Sequence, residues 1–135
     1  MKGIVTTALG LLLSFNAAAG VVIIGSPTLP DGLSVADAKK AYLGKKTKFN
    51  GGQVTVLELS DQNSEKADFH QAVTKKSLAQ LESYWSKKLF TGKGTPPESV
   101  NSPEQLKAKV ASGSNVIGYI DESLVDGSVK VLVKL

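Results

Sequence analysis

After residue 20 the first apolar stretch is Val21-Val22-Ile23-Ile24, four β-branched residues in a row. A run with no polar alternation predicts a strand buried on both faces, as in an α/β sheet. Ser26-Pro27 through Asp31-Gly32 is loop chemistry. Ser34-Val35-Ala36-Asp37 is a capping box, and Val35, Ala38 and Tyr42 follow at helical spacing, so a helix is predicted that Gly44 ends. Residues 45–52 read as a polar connection. Gln53 to Leu59 alternates, with Val54, Val56 and Glu58 on one face and Thr55, Leu57 and Leu59 on the other, and reads as a second strand. Strand, helix and strand predict a βαβ unit with parallel strands and a right-handed crossover.

Further on, a helix from about Glu65 to Lys75 would turn Phe69, Ala72 and Val73 inward. Ser77-Leu78-Ala79-Gln80 is a second capping box. It opens a longer helix with Leu78, Leu81, Trp85 and Leu89 on one face and Tyr84 beside them, and Trp85 is expected to be buried against the sheet. Thr91 to Pro97 is loop. Ser102-Pro103-Glu104-Gln105 is a third box, with proline at the first helical position; Leu106 and Val110 point inward and Gly113 closes the helix. Val116 to Ile120 is a third strand. Val129 to Leu135 is a fourth, with Lys130 and Lys134 on its polar face, where lysine suits a sheet edge.

Residues before Val21 carry a different pattern. Lys2 precedes an apolar run from Ile4 to Phe15, and Ala17-Ala18-Ala19 supplies an A-x-A motif before Gly20. This is the arrangement of a cleavable secretory signal peptide at 1–19, with a periplasmic domain at 20–135. The alternative is a buried N-terminal helix. The apolar run is shorter than the roughly 20 residues of a membrane span, so no span is expected after cleavage. The chain has 135 residues, room for one domain.

Charge narrows the partners. There are 16 basic and 12 acidic residues, and every basic residue is lysine. Without guanidinium forks, and with lysines spread along the chain, nucleic-acid binding is not expected. The absence of cysteine removes disulfides, thiolate metal sites and thiol catalysis.

Candidate chemistry is sparse. His70 is the one histidine, with no carboxylate partner fixed by spacing, so a structural role outweighs a catalytic one, and a histidine metal cluster is impossible. No cofactor, no metal and no enzymatic activity are expected. Asp121-Glu122 could bind a cation, but a solvated turn is the simpler reading. Gly92-Lys93-Gly94-Thr95 combines two glycines, a lysine and a hydroxyl, as anion-cradling loops do, but lacks P-loop spacing; a plain connection stays open. Asn63-Ser64 begins a helix, where amides and dipole favour an anion; simple N-capping is the alternative.

Several segments together resemble the phosphate ABC transporter substrate-binding proteins, which are periplasmic type 2 binding proteins. They are Val21 to Ile24, then Leu33-Ser34 and Ala41-Tyr42-Leu43-Gly44-Lys45, then Phe69, Tyr84-Trp85 and Phe90 to Pro97, and finally Ile117-Gly118-Tyr119-Ile120. The resemblance implies an α/β fold: a single lobe of the two-lobed clamshell, with a mixed sheet of about four to five strands flanked by helices. It implies phosphate or another small oxyanion as ligand, and a membrane transporter or other periplasmic protein as partner. The family's Arg position falls at Leu59 and its S-G-T contact run at Asn63-Ser64-Glu65, where Glu65 opposes an anion. Weak or lost anion binding is therefore expected. The alternative is a scaffold that uses the former ligand face for a protein partner.

Overall fold

The computed structural model describes residues 20–135; the expected signal segment, 1–19, lies outside the described residues. The elements in chain order are β1 (Val21–Gly25), α1 (Val35–Tyr42), β2 (Lys48–Phe49), β3 (Gly52–Gln53), β4 (Thr55–Leu59), α2 (Ser64–Ala72), α3 (Leu78–Phe90), β5 (Glu98–Val100), α4 (Pro103–Ser112), β6 (Val116–Asp121) and β7 (Lys130–Lys134). A 3-10 turn, Glu122–Leu124, follows β6.

Five strands form one mixed sheet in the order β5-β4-β6-β1-β7. β1 is fully buried between β6 and β7, as its unbroken apolar run requires. It is antiparallel to both neighbours, while β4 is parallel to β5 and β6. This overturns the expected βαβ unit. β6 lies between β1 and β4, so those two strands neither pair nor run in the same direction. Helix α1 therefore connects antiparallel strands. The alternation read into Gln53–Leu59 also gives way: Val56 to Leu59 are all buried, because β4 is interior to the sheet.

The layers follow from neighbouring residues of β6. Gly118 faces α4, so closely that a Cβ there would lie 2.5 Å from Leu106 Cδ2. Tyr119 points the opposite way and stacks on Phe69 of α2, with ring centroids 4.0 Å apart. Tyr42 of α1 joins that aromatic layer, 4.6 Å from Phe69. Helices thus cover both faces of the sheet.

All three expected serine caps form. Ser34 and Ser77 make reciprocal boxes with Asp37 and Gln80. Ser102 accepts from the Gln105 amide behind Pro103, and the return bond from Gln105 is not among its contacts. Helix α2 stops at Ala72, three residues short of the expected Lys75, and Lys75 itself has a positive φ of 62°.

Helix α3 packs differently from its expectation. Leu81 and Trp85 are buried, but outside the cluster centred on the sheet. Trp85 lies on the corner after α1, where a Cβ on Gly44 would come within 3.0 Å of Cη2. Tyr84 donates its hydroxyl to Leu43 O at 2.6 Å on the same corner. Leu89, expected on the buried face, is 52% exposed.

Candidate functional site

The chain from β4 to α2 builds the first candidate segment. Ser60 donates its amide to Val100 O, fixing the end of β4 to the end of β5. Asn63 takes the N-cap position of α2, yet its side chain does not cap. Its amide nitrogen donates to Asn101 O at 3.0 Å and Ser60 Oγ at 3.1 Å, which ties the two turns together. The first-turn amides of α2 are thus left without a side-chain acceptor, unlike those of α1, α3 and α4. Ser64 opens onto a shallow pocket of about 300 Å³ whose walls include Glu65, Asp68 and Asp121, and no lysine. Three carboxylates there oppose an anion, whatever the helix dipole contributes. Leu59, where the resemblance puts an arginine, is fully buried in the core.

Asp121 accepts from Ser123 N at 2.9 Å and Ser123 Oγ at 2.7 Å, and Glu122 pairs with Lys134 at 2.9 Å. That is turn chemistry. Among the described residues no group of three or more His, Asp or Glu side chains is placed to hold a metal.

The second candidate segment, Gly92 to Thr95, follows the C-terminal end of α3. The amides of Thr91, Gly92 and Lys93 donate to the carbonyls of Lys87, Leu89 and Lys88. These bonds close the helix and engage the Gly92 and Lys93 amides of the candidate loop, at the end where the dipole is negative. What this segment offers outward is the Lys93 ammonium, which joins Lys76, Lys87 and Lys88 around a groove on α3. The pocket beside Ser64 and this groove share no lining residue, so the two segments form separate places.

A buried polar cluster lies between α2 and the sheet. His70 Nε2 contacts Glu58 Oε1, and Nδ1 lies 2.9 Å from Thr74 Oγ1. All three residues are buried. Tyr119 donates to Glu58 Oε1 at 3.3 Å and accepts from the Leu59 amide at 3.2 Å; Tyr42 donates to Leu57 O at 3.0 Å. Burial, and then the Glu58 charge, push both tyrosine hydroxyls well above their ordinary range. His70 does have a carboxylate partner, twelve residues back on β4, contrary to the expectation from spacing. The signal was Glu58 inside the apolar run Val-Leu-Glu-Leu: a carboxylate on an interior strand needs a buried donor. Both ring nitrogens of His70 are partnered inside the core, while Glu58 also borders a groove that Asp61, Lys66 and Glu82 line.

Comparison with solved structures gives the architecture a context. The chain superposes on a phosphate ABC transporter substrate-binding protein from Clostridium perfringens, solved with bound phosphate, with a TM-score of 0.67 and 23% identity. An ABC-type phosphate transport receptor from Vibrio cholerae gives 0.65 at 19% identity, and PstS from Borrelia burgdorferi 0.64 at 12%. Each match covers 84% of this chain. The fold is that of one lobe of a type 2 periplasmic binding protein. This lobe spans 44 to 46% of the length of those three structures. No family model matches its sequence, and no curated protein does. Among the described residues no helix of the lobe is long and apolar enough to cross a membrane.

Proposed function

We propose that this chain is a non-enzymatic, exported binding-protein lobe of the phosphate-transport kind that meets a small oxyanion only weakly. The observation carrying this reading is the fold agreement, across 84% of the chain, with a binding protein solved holding phosphate. The contact would be made at the start of α2 by Asn63 and Ser64. Gly92, Lys93, Gly94 and Thr95 form a lower-ranked second place, since three backbone donors at that helix end are already engaged. Weakness is supported by Glu65, Asp68 and Asp121 around the first place and by the buried leucine at position 59. A membrane transporter is the partner that fits this reading, and the 1–19 segment the means of export.

Calorimetric titration of the protein with inorganic phosphate tests it. The expected dissociation constant is millimolar or weaker, a binding free energy of about −4 kcal/mol or less in magnitude. Glu65→Thr should tighten binding about threefold to tenfold, because it removes a carboxylate from the first turn of α2. A micromolar or tighter constant overturns the reading.

The acidic pocket beside Ser64 favours one second reading, a scaffold whose former ligand face meets a protein partner. Melting temperature separates the two. A ligand at 100 times its dissociation constant adds about 2.7 kcal/mol of stability, whereas a scaffold shows no phosphate-dependent rise.

A further inference from the structure

We propose that the lysine-lined face of α3 docks on an anionic lipid bilayer. A groove of about 690 Å³ runs along this helix, lined by Lys76, Ser83, Tyr84, Lys87, Lys88 and Lys93. None of these four lysines has a carboxylate within 4.0 Å among the described residues; the lysines that do are Lys66, Lys107, Lys109, Lys130 and Lys134. The acid within α3, Glu82, lines a different groove with Asp61 and Lys66, so the helix is polarised across its width. Tyr84 sits between two of the cations, its ring centroid 5.2 Å from Lys76 Nζ and 5.3 Å from Lys88 Nζ. Its hydroxyl is held by Leu43 O, so the ring is a fixed platform for both ammonium groups.

The apolar component decides the occupant. Phe90 is 92% exposed and follows Lys87 by three residues, hence lies on the same side of the helix. An acidic peptide or a soluble polyanion would satisfy the lysines and leave Phe90 in water. A bilayer satisfies both: headgroup phosphates meet the groove, and the Phe90 ring enters the acyl boundary as the helix lies in the interface.

The test is pelleting of the exported form, residues 20–135, which carries every element of the fold, with vesicles of equal parts phosphatidylglycerol and phosphatidylcholine. Lys87→Glu with Lys93→Glu should weaken partitioning at least about 30-fold, at roughly 1 kcal/mol per lysine lost and 1.4 kcal/mol per tenfold. Phe90→Ser should weaken it about tenfold. Lys109→Glu with Lys134→Glu makes the same net-charge change on α4 and β7 and should stay within about threefold of wild type. Raising salt from 0.1 M to 1 M shortens the screening length from about 10 Å to about 3 Å and should remove most binding by the unmodified protein, a readout independent of whether a variant folds. Equal losses in both lysine pairs would reduce the effect to net charge and overturn the proposal. So would an unchanged Phe90→Ser, which would reassign the face to an acidic protein or soluble anion. Displacement by millimolar inorganic phosphate would do the same.

Discussion

Glu58 and His70 are each buried with the other as partner, and neither makes sense in the core alone. His70→Ala leaves Glu58 buried opposite a void and should cost about 3–5 kcal/mol, read by urea denaturation. Glu58→Gln combined with it should cost less than the sum of the two, because the second change removes the stranded charge. At this scale the sequence was half legible. Glu58 was placed on one face of a strand with Val54 and Val56, but pairing it with His70 needs the distance between β4 and α2, which no periodicity encodes. Trp85 gives a second case. Its burial followed from helical spacing with Leu81, but the surface it covers did not. Trp85→Ala should cost about 3–5 kcal/mol. Trp85 Nε1 is buried with no acceptor among the described residues. Trp85→Phe removes that unsatisfied donor along with part of the ring, so it should cost under about 1.5 kcal/mol. Chemical denaturation of both variants separates the two contributions.

Elements were most legible where one local rule was enough. β1 followed from four β-branched residues, and three helix starts from serine caps. The β2–β3 hairpin turns on Asn50 and Gly51, both at positive φ, as a tight two-residue turn requires. Residues 45–52 read only as a polar connection: the Asn-Gly pair is the turn signal that reading passed over, and two-residue strands are too short and polar to read as strands. β5 was missed for the same reason. The αL corner at Gly44 makes a sharper test. Gly44 has φ +71°, and any Cβ would press on the Trp85 ring. Gly44→Ala should therefore cost about 1–2 kcal/mol from backbone strain alone, plus the displacement of Trp85. Thermal melting measures the first, and a shift in indole fluorescence reports the second. The misread crossover has a plain cause. Chain order says which strands follow one another, while β6, nearly a hundred residues on, decides which lie side by side.

For the molecule as a whole, stability should be flat near neutrality and fall at both ends of the pH scale. Asp37 and Asp126 are held below the ordinary carboxylate value of 3.8: Asp37 chiefly by the Ser34 amide, and Asp126 chiefly by Lys107. Their contribution is present above that value and is lost as pH falls below it. Tyr42 and Tyr119 are raised above 10.0 by burial, so their contribution is present below pH 10 and lost above it. In alkaline titration, tyrosinate absorbance from these two should appear together with unfolding rather than before it. Separate, non-cooperative ionisation would show that the aromatic layer is accessible to solvent. The sheet order adds a consequence for biosynthesis. β1 is translated before its sheet partners, β6 and β7. Joining Val22 to Ile120 closes a loop whose entropy is roughly 4 kcal/mol, and such distant pairings form slowly. A nascent chain therefore carries Val-Val-Ile-Ile unpaired until β6 and β7 have been made. That strand can aggregate in the interval, and the sheet cannot close around it until both partners have emerged.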